Sequence, residues 1–175
     1  MLALTERLAI DQELNWAFCD TDSMAFANTN ELPFDEFRRR VEAVCAWFAP
    51  LNPYEQDETR GPVSILEFQE QNYSQSASKA LEPLFCFAIS AKRYALFNLG
   101  PNGEPIIRKA SAHGLGHYVA PYGREEEVRT ESGTGVRRWE EDVWKEIIRS
   151  TRSSTPRIVN YAFRPEMSEP ARSQY

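Results

Sequence analysis

The sequence predicts an α+β fold, an antiparallel sheet with packed helices, and three observations carry that expectation. Short strand-like apolar runs recur along the chain, tight turn-forming stretches separate them, and two longer stretches carry apolar residues at helical spacing. Sequential strands joined by short turns pair antiparallel, and the helices then cover the sheet. With 175 residues and 42% apolar content, the chain suits one ordinary domain or a piece of a larger one.

Residues 1–13 read as a helix with Leu2, Leu4, Leu8 and Ile10 apolar; the segment lacks a capping residue and begins abruptly. Leu14–Cys19 and Ser23–Ala27 read as short strands around Asp20-Thr21-Asp22, whose side-chain oxygens suit a tight turn. "LPFDEFRRRVEAVCAWFAP" follows, with Phe34, Phe37, Val41, Val44, Cys45 and Phe48 at helical spacing. Pro33 fits its first turn, Pro50 stops it, and Arg38, Arg39 and Arg40 belong largely to the solvated face. Residues 50–62 read as a loop and "VSILEFQEQNY" as a strand. "LFCFAISAKRYALFNL" is one long strand or two consecutive ones, "GPNGEP" reverses the chain, and "IIRKA" is a further strand. Residues 123–136 read as an exposed loop. "RRWEEDVWKEIIRS" is a second amphipathic helix, with Trp139, Val143, Trp144, Ile147 and Ile148 on one side.

The net charge of −6 is unevenly placed. Residues 1–87 hold 6 Lys/Arg against 15 Asp/Glu, and residues 88–175 hold 14 against 11, giving −9 and +3. An acidic half that attracts cations and a mildly basic half that faces phosphates suit a nucleotide enzyme, although an ordinary solvated surface has the same pattern. The overall sign argues against a freestanding DNA-binding module of the usual basic kind. Cys19, Cys45 and Cys86 are odd in number and sit in apolar contexts, which predicts buried free thiols in a reducing, cytoplasmic setting. No stretch approaches the length of a membrane span, and the charged N-terminal stretch is unlike a signal peptide.

"WAFCDTDSMAFA" places two aspartates between apolar, aromatic-bearing runs. Two carboxylates at i and i+2 on an extended segment project to the same side. Magnesium takes hard oxygen ligands, commonly one or two carboxylates completed by substrate phosphates and water. A solvated turn is the plain reading of Asp-x-Asp, and a divalent-metal site is the sharper one.

The longer stretch "FCDTDSMAF" resembles the catalytic hairpin motif of family B DNA polymerases. Phe18 stands at the motif's aromatic position, and Cys19 replaces the glycine usual there. Further on, "AKRYALF" resembles the family's lysine/arginine-tyrosine motif, with Lys92, Arg93 and Tyr94 matching and Ala91 departing from the frequent preceding lysine. A long helix and "ILEFQE" lie between, the order of the second half of a polymerase palm. The resemblance covers residues 1–110 and implies template-directed nucleotidyl transfer with two Mg²⁺ or Mn²⁺ ions. It implies that a primer 3′-hydroxyl attacks the α-phosphate of a deoxynucleoside triphosphate and pyrophosphate leaves. Asp22 matches the more direct metal ligand, and Asp20 the aspartate that supports metal and nucleotide placement. Glu67 is a further acidic candidate near the site, and otherwise an ordinary strand-edge glutamate. Lys92 and Arg93 would follow the primer–template, and Tyr94 would help to position the primer end.

The resemblance also implies what this sequence does not hold: a further metal-binding aspartate and a fingers helix carrying lysine and asparagine. The expectation is a palm-like subdomain over 1–110, a post-palm helical and loop region over 111–163 and a disordered tail over 164–175. It would be a C-terminal polymerase fragment, inactive alone and partnered by a polypeptide that supplies the missing palm and fingers. One rival is a non-catalytic remnant or nucleic-acid-binding or assembly module. A second is an unrelated palm-like metal enzyme, such as a nuclease or cyclase. His113 and His117 in "SAHGLGHYVAP" have a zinc-compatible separation, but Gly114 and Gly116 disfavour a helix there, so a structural or nucleic-acid-contacting loop is the leading reading.

Overall fold

The computed structural model of the chain describes residues 1–53, 64–112 and 133–154. They form helix α1 (Leu2–Asp11), strands β1 (Asn15–Asp20) and β2 (Ser23–Ala27) and helix α2 (Phe34–Phe48). Strands β3 (Phe85–Ser90), β4 (Arg93–Leu99) and β5 (Pro105–Ala112) and helix α3 (Arg138–Arg152) follow. The class is α+β with antiparallel sheets, β1-β2 in one and β3-β4-β5 in the other. The chain divides into two compact units, Met1–Pro83 and one starting at Leu84. Residue 110, the expected boundary, falls inside β5. Among the described residues no helix is long and apolar enough to cross a membrane.

In the first unit, α1 has no side-chain cap and buries Thr5 and Ala9. The chain then reverses at Glu13, whose φ is 54°, and drops Leu14 into a core with Ala9, Val41, Val44 and Phe48. Val41, Val44 and Phe48 lie on one face of α2, as the helical spacing requires. Arg40 departs from the expected solvated face. Its guanidinium donates to the Gln12 carbonyl and Glu13 Oε2, both at 2.9 Å, and to Glu36 Oε1 at 2.8 Å. A cation on a carbonyl just past the last turn of α1 complements that helix's negative end. It also fixes where β1 begins.

The described part of "VSILEFQEQNY", residues 64–73, is not a strand. It is irregular, with a 3₁₀ turn at Glu70–Asn72 and an isolated bridge between Tyr73 and Leu81. Ile65, Leu66 and Phe68 all pack against the first core. Adjacent residues 65 and 66 facing one core contradict a period of two, so an irregular path buries what a strand would split between two faces.

In the second unit, "LFCFAISAKRYALFNL" resolves into two strands of a hairpin turning at Ala91-Lys92. The "GPNGEP" turn is closed by the Gly100 N–H on the Glu104 carbonyl at 2.8 Å, with Gly103 at φ 76°. One face of the sheet gives Ala95, Phe97, Ile107 and Ala110 to a core completed by Val136, Trp139, Val143, Trp144 and Ile148. Trp144 is fully buried, and its ring meets Phe87 edge-on with centroids 6.3 Å apart. The α3 residues Trp139, Val143, Trp144 and Ile148 are buried as their spacing predicts. Arg149 ties α3 to the β4–β5 turn through Glu104 Oε2 at 2.6 Å.

The cysteine expectation is corrected in part. All three thiols are free, but Cys86 is exposed and Cys19 and Cys45 are half-buried. Cys86 lies on β3, a marginal strand of its sheet among the described residues. Burial raises the pKa of Cys45, with Glu42 adding to the effect, and burial followed by Glu6 raises that of Cys19.

Candidate functional site

Asp20 ends β1 and is half-buried, while Thr21 and Asp22 form the exposed two-residue connection to β2. Asp20 and Ser23 are the last paired residues of the hairpin. The expectation that both carboxylates sit on one extended segment is therefore corrected. The chain leaves the strand at Thr21, so the period-two rule reaches Asp20 but not Asp22.

Three contacts fasten the turn. The Asp22 N–H donates to the Asp20 carbonyl at 2.7 Å, and the Ser23 hydroxyl donates to the same carbonyl at 3.1 Å. The Thr21 hydroxyl donates to Asp20 Oδ1 at 3.2 Å. Thr21 has φ 53°, left-handed backbone that costs a non-glycine residue about 1–2 kcal/mol and is most unusual for a β-branched one. Thr21 and Ser23 are the positioning residues that motif reading passes over. Hydroxyls flanking an aspartate in a turn are the signal for them, since such side chains bond nearby backbone groups.

The hairpin is anchored from below. Phe18 is 6% exposed, Leu14 belongs to the first core and Phe26 packs against it. The register shifts between Trp16 and Phe18, leaving Ala17 as a bulge. A bulged strand bends and twists locally, which re-aims its end.

Lys92, Arg93 and Tyr94 lie in the second unit, Asp20 and Asp22 in the first. Lys92 is exposed in the β3–β4 turn and Arg93, half-buried, opens β4 opposite Ser90. Its partner on β5 is Ala112, while Ser111 faces Tyr94. The Ser111 hydroxyl donates to the Lys92 carbonyl at 2.8 Å and so latches this turn from the neighbouring strand. Tyr94 is only 2% exposed. Its side chain is buried on β4, the strand that Arg93 opens.

Glu67 is exposed on the irregular segment, not on a strand edge. Among the described residues no three His, Cys, Asp or Glu side chains gather into a metal-holding group. Asp20 and Asp22 thus stand as a pair that Glu67 does not complete. His113 and His117 lie outside the described residues, as do residues 54–62 of the expected loop, most of the expected 123–136 loop and the 164–175 tail. Comparison with protein-family models, curated proteins and solved structures finds no match to this chain.

Proposed function

We propose that this chain is a family B DNA polymerase-like palm segment in which the Asp20–Asp22 hairpin serves template-directed nucleotidyl transfer on a primer–template. The observation that carries this reading is the turn itself. A β-branched residue held in left-handed backbone between two aspartates is strain of the kind that concentrates at functional turns. A plain solvated turn would gain from glycine or asparagine at that position, and this sequence keeps threonine.

The donor set fits a hard divalent cation, because two carboxylates with water and phosphate oxygens make an ordinary magnesium shell. Asp22 would hold it from the exposed turn, and Asp20, half-covered and oriented by the Thr21 hydroxyl, would support it. When bound, paired Mg²⁺ or Mn²⁺ supplies charge stabilisation to an in-line phosphoryl displacement. The chain's own work is to hold the two carboxylates at a fixed turn. Lys92 and Arg93 give phosphate or minor-groove contacts, and Tyr94, next in the matched motif and buried on β4, helps to position the primer end as in the resembled family. In the resembled family a further metal-binding aspartate and a fingers helix also take part in turnover.

A second reading is a nucleic-acid-binding or assembly module without turnover. Fluorescence-anisotropy titrations of a primer–template duplex and of single strand, at low salt with and without Mg²⁺, test the first reading. It predicts preference for the duplex, enhancement by Mg²⁺, and a log–log salt slope of about −1 to −3 that shrinks in Lys92→Ala/Arg93→Ala. Duplex preference unaffected by Mg²⁺ and by Asp22→Ala would favour the module. Identical weak binding by wild type and the double variant would remove nucleic acid from both.

A further inference from the structure

Resting on the duplex-binding reading above, we propose that the nucleic-acid surface of the second unit takes in the start of α3. Arg137 and Arg138 there bind phosphates of the same duplex as Lys92 and Arg93. No motif in the sequence joins these two pairs; the topology of the unit does.

The contacts run in order across one end of the sheet. Lys92 stands in the β3–β4 turn, and its carbonyl accepts the Ser111 hydroxyl at 2.8 Å. Arg93 opens β4 opposite Ala112, the last residue of β5. One residue before Ser111, the Ala110 N–H donates to the Thr134 carbonyl at 2.8 Å. Val136 then joins the core that holds Ala95 and Ala110, and the exposed Arg137 and Arg138 follow at the start of α3. Further along, Arg149 fixes α3 to Glu104 in the β4–β5 turn, at the opposite end of the sheet. The entrance of α3 therefore lies at the Lys92–Arg93 end.

Among the described residues none of these four cations makes an ion pair. Lys145 and Arg149 on the same helix are each held, at 2.6 Å from Glu141 and Glu104. Asp142 also faces Lys145, at 3.8 Å. Glu140 accepts the Arg137 N–H at 2.8 Å and is the one carboxylate of the first turns not committed to Lys145. Four cations thus stand against a single carboxylate. Because Glu140 already takes that N–H, the phosphate contacts come from side chains and not from the helix end. A cation at a helix N-terminus opposes the helix dipole, so Arg137 and Arg138 gain nothing from their own helix. Arg152, also without an ion pair, sits in the last turn, where the dipole favours a cation. Exposed, uncompensated cations from two elements complement a polyanion. A duplex carries a charge about every 1.7 Å of its axis and so offers phosphates to both pairs at once.

Fluorescence-anisotropy titration of the full chain with a primer–template duplex, over a range of salt, tests the surface. Arg137→Ala/Arg138→Ala should weaken binding at least threefold at low salt. It should also cut the magnitude of the log–log salt slope by about 1, as Lys92→Ala/Arg93→Ala does. Arg137→Lys/Arg138→Lys keeps the charge and should retain the slope. Arg7→Ala/Arg39→Ala removes the same charge from exposed ion pairs of the first unit and should leave the slope unchanged. Should the alanine variant not fold, phenylglyoxal modification of wild type decides: duplex should protect Arg137 and Arg138 along with Arg93. Binding lost in Lys92→Ala/Arg93→Ala but kept in Arg137→Ala/Arg138→Ala, with neither arginine protected, overturns this surface and leaves the polymerase-like reading standing. Binding weakened in both, with no effect of Mg²⁺ or of Asp22→Ala, sustains the surface and removes the polymerase-like reading. Inorganic polyphosphate bound as tightly as duplex overturns the nucleic-acid partner, and a duplex that does not bind overturns both.

Discussion

The β1–β2 and β3–β4 hairpins have the same construction and opposite chemistry. Each closes with a two-residue turn, Thr21-Asp22 in one and Ala91-Lys92 in the other. The first exposes a carboxylate on strained backbone; the second exposes an ammonium, and neither Ala91 nor Lys92 has positive φ. Their supports differ as well. The first is a two-stranded sheet bonded around the Asp20 carbonyl, whereas the second is one margin of a three-stranded sheet covered by α3. The difference teaches that a hairpin with a third strand and a helix behind it keeps an unstrained turn. The aspartate hairpin holds a costly one through its own hydroxyls and the core below.

Removing the support of one hairpin should break the comparison most severely. Trp144 is fully buried at the centre of the second core, so Trp144→Ala should cost about 3–5 kcal/mol. Chemical denaturation should read that loss. Amide shifts of β3 and β4 should move far more than those of β1 and β2, since Trp144 packs in the core of its own unit.

The turns themselves separate at about 1 kcal/mol. Thr21→Gly should stabilise the chain by up to about 1 kcal/mol, because glycine adopts φ near 53° without the Cβ clash. Ala91→Gly should instead cost up to about 1 kcal/mol, since it adds unfolded-state freedom and relieves nothing. Equal effects at both turns would remove the strain argument. The same Thr21→Gly variant should bind Mn²⁺ more weakly if the strained geometry serves the site.

The smallest effect is acid sensitivity beneath the first hairpin. Hydrogen bonds from Arg40, then from Arg39, hold the Glu36 carboxyl below its ordinary value. A lowered folded-state pKa gives stability that is present above the unfolded value, about 4.3, and lost as pH falls through the folded value. Glu36→Gln should therefore flatten the acid limb of the thermal-stability profile slightly. It should leave the limb above neutrality unchanged.

Both long helices were legible because periodicity is a local property. Phe34 to Phe48 and Trp139 to Ile148 repeat their apolar positions at the spacing that burial later uses. The segment around Ile65, Leu66 and Phe68 was not legible in that way. Its apolar run satisfies strand propensity, yet a strand needs a neighbour to bond, and a packed irregular path buries all three. Cys86 was misjudged for the converse reason: its neighbours are apolar, but the strand's place at the sheet margin leaves it exposed. The Asp-Thr-Asp-Ser stretch announced a turn with carboxylates through local turn chemistry. That Asp22 would leave the strand at a left-handed Thr21, and that Tyr94 would be buried, depends on how separate strands pair.

The central claim is that the Asp20–Asp22 turn binds a divalent cation. Mn²⁺ titration followed by amide NMR tests it most directly. Paramagnetic broadening centred on Asp20 to Ser23, weakened strongly in Asp22→Ala, is the predicted result. Broadening spread evenly over the acidic first unit and unchanged by Asp22→Ala would contradict it.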